Sequence, residues 1–465
     1  MPQLPIGDRA GPQSGSLAVF CRNPAATESH CRVRIPNRLL PPRIRSVLRR
    51  HGPEAEIWRQ RIAIFAGAVI VGLVALVFAD FADRANSAFR VFAGRWWWAP
   101  LLATPTGFAA IAWATMRFAP LAGGSGIPQV MAATKNPEAA LSTLVSARVA
   151  IAKFFLTVGA LLVGASAGRE GPTVQIAAAI MGRMHRLLRI PLRSSVYIAG
   201  GAAGVAAAFN TPLAGVAFAI EELAAAYEQR MTLLVMTAVL IAGMVSLGVS
   251  GDYIYFGVMG QTLTLKQAIL AAPVAGIFGG VAGGLFSRLM LAAGTTPIKP
   301  MAWLRERRVL FAAICGAVVA VLGVGTGLTW GTGYETAHGI IAGGDVPGWF
   351  AAAKFVTTLA TAVSGMPGGI FAPSLSIGAG IGDVLRAVFP GYAPGAVVLL
   401  GMVAYFTGVV RAPLTAVIII SETTASRGLM MPLLASALIG DFAAQCVCKE
   451  KLYHGLSLRF LPKAA

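Results

Sequence analysis

Apolar runs such as Arg61–Asp80 (RIAIFAGAVIVGLVALVFAD), Ala147–Ser166 and Met231–Ser250, each 20 residues long, constrain this chain more than any other feature. About 20 predominantly apolar residues in a helix cross a bilayer. A soluble domain carries about a quarter charged residues, whereas this one has 12% charged against 56% hydrophobic residues. Its mean hydropathy is +0.71. The chain is read as a polytopic membrane protein.

Residues 1–60 are polar, proline-containing and arginine-rich, and read as a disordered tail. No cleavable signal peptide is visible. Arg43, Arg45, Arg49, Arg50, Arg59 and Arg61 stand just before the first span, which places the N-terminus in the cytoplasm by the positive-inside rule. A start codon assigned too far upstream would produce the same tail. The net charge of +19 does not indicate nucleic acid, because much of it sits in the tail and in short loops such as Arg183–Arg193. Basic loops beside spans meet anionic lipid. Of the five cysteines, Cys21 and Cys31 lie in the tail, Cys315 in an apolar run, and Cys446 and Cys448 two apart. They form neither a disulfide framework nor a metal-ligand pattern, so no metal is expected.

An offset of 201 residues superposes several segments of the chain on itself. Gly124-Ser125-Gly126-Ile127 falls on Gly325-Thr326-Gly327-Leu328, and Gly168–Ile176 falls on Gly369–Ile377. Pro212-Leu213 falls on Pro413-Leu414, and Glu221 on Glu422. The chain is therefore expected to hold two membrane repeats, 61–255 and 262–460. Binding sites of duplicated transporters lie where the repeats meet, and paired Gly/Pro breaks point to them.

Four breaks place Gly or Pro where a helix could begin inside the membrane: Gly124-Ser-Gly-Ile-Pro128, Gly168-Arg-Glu-Gly-Pro172, Gly368-Gly-Ile-Phe-Ala-Pro373 and Asn210-Thr-Pro212. Proline suits the first helical turn, and the first N–H groups there lack intrahelical partners. Each start carries about half a positive charge. Several such ends aimed at one spot would hold an anion without a buried cation, loosely enough to release it. Ordinary kinks and packing glycines are the alternative for any single break; four together, two of them repeat-related, favour the anion site.

These residues also carry a family resemblance. Gly124-Ser125-Gly126-Ile127-Pro128, Gly168-Arg169-Glu170-Gly171-Pro172 and Gly369-Ile370-Phe371-Ala372-Pro373, in this order, resemble the signature segments of the CLC chloride channels and transporters; Tyr453 resembles the family's further ligand. The resemblance covers about residues 62–460. It implies an all-α polytopic fold with a CLC-type inverted repeat of two halves and many short, broken, tilted helices. It also implies a homodimer with one ion pathway per subunit, in a bacterial inner or cell membrane. The Ser125 and Tyr453 hydroxyls and the amides of Ile370 and Phe371 would bind chloride. The amides of Arg169 through Gly171 would line an outer site, and Gly124, Gly126 and Pro128 would shape the inner one. No cofactor is expected beyond bound chloride. The given sequence ends twelve residues after Tyr453, from which no C-terminal regulatory domain is expected.

The carboxylates extend this reading. Glu170 lies between glycines at a helix start in an apolar region, where a charge is costly unless paired or neutralised. It reads either as a helix-start charge held by the dipole and Arg169, or as an anion mimic that blocks the path when ionised and swings out when protonated. The resemblance names it as the gate. Glu221 and Glu222 end the run Pro212–Ile220, where an acid opposes the helix dipole. An acid at Glu222 resembles the internal proton-transfer residue of antiporters, with Glu221 coupled to it. Glu422 is read as structural. Lys153, mid-run, either snorkels, neutralises a carboxylate or supports the pathway. Gln129 and Met131 stand where some proton-coupled relatives carry acids.

The expected function is therefore transmembrane chloride transport as a chloride/proton antiporter; a passive voltage- or pH-gated chloride channel on the same fold is the alternative. A membrane-embedded enzyme is disfavoured, because His30, His51, His185, His338 and His454 form no zinc or hydrolase motif.

Overall fold

The computed structural model describes residues 42–224, 229–251, 254–295, 303 and 306–461. Contacts divide the chain into Met1–Trp58 and Arg59–Ala465, and the second unit holds both cavities described below. Among the described residues there are eighteen α-helices and no β-strand. The first half contains α1 (Pro42–Arg95), α2 (Pro100–Phe118), α3 (Ile127–Lys135), α4 (Pro137–Ala140), α5 (Ala147–Leu162), α6 (Glu170–Leu187), α7 (Ser194–Phe209), α8 (Pro212–Phe218) and α9 (Gln229–Ser250). The second contains α10 (Leu265–Thr295), α11 (Arg308–Thr326), α12 (Tyr334–Ile341), α13 (Phe350–Val363), α14 (Phe371–Arg386), α15 (Pro394–Val410), α16 (Pro413–Thr424), α17 (Met430–Val447) and α18 (Leu452–Ser457).

Of the expected tail, residues 1–41 lie outside the described residues. Residues 42–60 correct the expectation of disorder: they belong to α1, which starts at Pro42. Proline is preorganised for a first helical position, and Glu54-Ala-Glu-Ile-Trp-Arg59 has good helix formers that run straight into the apolar stretch.

Among the described residues, five helices are long and apolar enough to cross a membrane, including Thr232–Val249, Leu265–Gly294 and Arg308–Thr326. Most of the others are shorter, although α2 has 19 residues and α6 has 18. The apolar run Ala147–Ser166 forms only 16 helical residues, ending at Leu162. Chain breaks at this depth are tolerated only where protein or a cavity satisfies the backbone. Here they are buried: α7 and α15 are almost wholly enclosed, and α6 and α14 are buried through their first halves.

The repeat is visible in helix starts. Glu170 and Phe371, Pro212 and Pro413, and Gln229 and Met430 begin equivalent helices, each pair 201 apart. Reciprocal contacts relate the halves by a pseudo-two-fold. Gly168 and Gly369 exchange two backbone hydrogen bonds, both 2.7 Å. Glu221 accepts from the N–H groups of Leu414 and Thr415 at 3.0 and 2.7 Å, while Glu422 accepts from those of Leu213 and Ala214 at 3.3 and 2.9 Å.

One part of the expected register is corrected. Gly124-Ser125-Gly126 does not correspond to Gly325-Thr326-Gly327, because Gly325 and Thr326 are still inside α11. Its structural counterpart is Gly331-Thr332-Gly333, where Gly331 and Gly333 take φ of 60° and 76°, like Gly124 and Gly126 at 72° and 107°. The second half reaches that turn six residues later, because α11 continues through Thr326.

Candidate functional site

Three of the four expected helix starts converge. Gly124 donates its N–H to Met366 O at 3.0 Å and accepts from Gly368 N–H at 3.2 Å, which ties the loop before α3 to the loop before α14. Gly168 and Gly369 join the loops before α6 and α14. Glycine suits this crossing: a Cβ on Gly171 would lie 2.8 Å from the backbone oxygen of Ser125. Bare backbone lets the helix tips meet.

The fourth start behaves differently. The first amides of α8 at Pro212 are taken by Glu422, and those of α16 by Glu221. These ends hold protein carboxylates and contribute no free donors to the shared centre. This corrects the expectation of four converging ends, and it gives Glu221 and Glu422 a capping role.

Ser125, Ile370 and Tyr453 line one cavity of about 440 Å³, together with Gln129 and Arg308. The Ser125 and Tyr453 hydroxyls are both buried without a hydrogen-bond partner. Unpaired buried hydroxyls are costly and uncommon, and two neutral donors in one cavity suit a small anion. Tyr453 lies close to Ser125, and Glu222 and Glu170 lie near enough to act on it electrostatically, so the sequence-picked groups form one neighbourhood. Phe371, at the start of α14, is fixed by the rings of Phe406, Phe218, Tyr453 and Phe209 at 5.0, 5.8, 6.0 and 6.3 Å. That collar holds the first amides of α14 in place.

Glu170 is 1% exposed. Its Oε2 accepts from the Ala372 N–H at 3.4 Å, so the carboxylate reaches across the pseudo-axis to the start of α14. Arg169 is not its main partner: the guanidinium donates to Asp83 Oδ2 at 2.6 Å and Ala79 O at 2.7 Å, both on α1. Lys153 is fully buried and donates to Ala122 O at 2.8 Å and Gly124 O at 2.6 Å, clamping the loop that carries Ser125. Gln129 donates to Gly123 O at 2.6 Å in the same loop.

Glu222 follows α8 in a widened turn, where Ala224 N–H reaches back five residues to Ala219 O. Such turns favour functional positions. The extra residue separates two adjacent acids: Glu221 caps α16, whereas Glu222 points inward, 6% exposed, with neither oxygen hydrogen-bonded. Lys451 and Arg411 lie near enough to act on it electrostatically.

A second cavity of about 900 Å³ is lined by Asp83, Arg169, Trp330, Thr332 and Glu335. Its acids are paired: Asp83 with Arg169, Asp80 with Arg84, and Glu335 with Arg90. Arg308 at the start of α11 lines the first cavity, and Gly327 just past its end lines the second. The 19 residues of α11 span about 28 Å, so the cavities lie near opposite membrane faces.

Sequence reasoning missed Lys354. It is the 201-residue mate of Lys153, fully buried, and donates to Thr329 O at 2.9 Å and Gly331 O at 2.7 Å. The offset already used for Glu221 and Glu422 would have found it.

A doubled helical bundle whose broken helices meet end-on between two cavities is the architecture of secondary transporters and of channels derived from them. Residues 106–445 match the family described as voltage gated chloride channel, and the chain belongs to that family, the CLC proteins. It is 34% identical over 367 residues to the H(+)/Cl(-) exchange transporter ClcA of Vibrio cholerae, covering 74% of this chain and 76% of the relative. Identity is 31% to the protein of the same name in Vibrio parahaemolyticus, with the same coverage. Its fold resembles that of a slow cyanobacterial Cl-/H+ antiporter, with a TM-score of 0.75 and 24% identity over 87% of this chain and 98% of that one. A CLC-type fluoride/proton antiporter gives 0.69 and 21% over 85% and 97%. The fold is thus a CLC-type inverted repeat in an integral membrane protein.

Proposed function

We propose that this protein exchanges chloride for protons through the cavity at Ser125 and Tyr453, with Glu170 as the gate. The observation that carries this reading is the lodging of the Glu170 carboxylate against the Ala372 amide, beside two hydroxyls that have no partner. An ionised carboxylate there occupies what an anion would occupy. Protonation removes its charge and frees the helix start, so proton binding and anion entry are coupled. The Ser125 and Tyr453 hydroxyls and the Ile370 and Phe371 amides are the chloride donors; the amides of Arg169 through Gly171 serve an outer position. Glu222 passes protons at the other face. Gly124, Gly126, Pro128 and Lys153 hold the Ser125 loop. The names of the curated relatives, which are H(+)/Cl(-) exchangers, agree with this.

The homodimer with one pathway per subunit, the bacterial inner or cell membrane, contact with anionic lipid and a cytoplasmic N-terminus belong to the same proposal. The test is reversal potential and proton flux in liposomes under opposed chloride and pH gradients. Chloride gradients are expected to drive protons uphill. Chloride flux that ignores the pH gradient would replace exchange with a passive channel.

A further inference from the structure

The corrected register exposes a second copy of the Ser125 loop. Offsets of 207 relate Ala122, Gly124, Ser125 and Gly126 to Thr329, Gly331, Thr332 and Gly333. The copies agree in conformation, since all four glycines at 124, 126, 331 and 333 have positive φ. They also agree in support. Lys153 binds the carbonyls of Ala122 and Gly124, and Lys354 binds those of Thr329 and Gly331. A Cβ on Gly126 would press on Gln175 of α6, and one on Gly333 on Ser376 of α14. Gln175 and Ser376 are themselves 201 apart. In each copy the loop opens a helix, α3 or α12, and the hydroxyl residue lines a cavity: Ser125 the first, Thr332 the second.

We propose that Thr332 and the start of α12 form a second halide-binding site, in the second cavity, as the pseudo-two-fold mate of the Ser125 site. The inference rests on the reading of this chain as a halide transporter. Three side chains stand around this helix start: Thr332, Arg169 and Lys354. Thr332 is 8% exposed; its hydroxyl accepts the Tyr334 N–H at 3.3 Å and keeps its own proton to donate. Arg169, 5% exposed, lines the same cavity with its Nε–H unpartnered. Lys354 places a fully buried amino group behind the loop, held by the Thr329 and Gly331 carbonyls, and among the described residues no carboxylate forms a salt bridge with it. Glu335, in the first turn of α12, does not oppose this, because Arg90 pairs with it. The site would collect a halide before it reaches the start of α6.

The test uses the full-length protein with bromide, read by anomalous diffraction, and chloride currents with chloride varied on one side of a planar bilayer at a time. Bromide is expected within hydrogen-bond distance of Thr332 Oγ1 in the wild type and in T332S, and absent there in T332V. T332V is expected to weaken the apparent chloride affinity about fivefold on the second-cavity side, as for one lost hydrogen bond to an ion, with the other side unchanged. Bromide at Ser125 but none at Thr332, or a T332V affinity equal to wild type on both sides, overturns the second site and leaves the transport reading standing. No bromide at either site and no current in the wild type overturns both.

Discussion

The starts of α8 and α16 and those of α6 and α14 are built alike but filled differently. At α16, Glu221 receives two backbone N–H groups and the Thr415 hydroxyl, at 2.7 to 3.0 Å. At α14, Glu170 receives one amide at 3.4 Å. Both are anions on helix ends, the arrangement a helix dipole favours. The first is a permanent cap. The second is held by a single long contact, which on the proposed reading lets a chloride ion compete for its place. The proposed function makes the under-bonded start the transport site, with the unpartnered hydroxyls of Ser125 and Tyr453 beside it for the competitor.

The contrast can be broken at each acid. Glu170→Ala should have the largest functional effect, removing the pH dependence of chloride flux and all proton exchange while leaving thermal stability near wild type. A flux that stayed pH-dependent would show that the under-bonded acid is not the gate. Glu222→Gln should abolish proton movement and spare chloride, measured with a proton electrode beside a halide electrode; retained proton uptake would remove Glu222 from the path. Glu221→Ala should act on the fold, costing about 3 kcal/mol because it strands three donors, against about 1–2 kcal/mol for Glu422→Ala, which strands two. Unfolding in detergent would read both, and equal stability for Glu221→Ala and wild type would refute the permanent cap. Glu335→Gln should be smallest, roughly 0.5 kcal/mol. Arg90 holds the Glu335 carboxyl below its ordinary range, so this pair stabilises above about pH 4 and the contribution is lost as pH falls below it. The difference between wild type and variant should vanish in acid.

Much of this was legible because it is written in backbone chemistry. Pro128, Pro172, Pro373 and Pro212 each fall in the first turns of real helices, as a residue lacking an N–H should. The 201-residue register survived from α5 through α9, where the halves keep equal lengths. It failed at Gly325, because α2 and α11 themselves stand 208 apart, so the register shifts before α11 and returns to 201 only between α12 and α13. Which ends are open and which are capped could not be read, since that depends on Glu221 and Glu422 crossing between halves. Helicity at 42–60 was missed because charge density in Arg43–Arg50 was given more weight than helix propensity.

The widened turn after α8 has one more consequence. Its mate, α16, continues as a regular helix through Thr424, and Thr423, the counterpart of Glu222, bonds back to Ile419 O at 2.6 Å. The counterpart of Glu170 is Phe371. A perfectly duplicated frame would behave identically when turned over in the bilayer. If the two unmatched acids act as proposed, one of them placed by a widened turn without any insertion, they give a nearly symmetric machine a defined front and back.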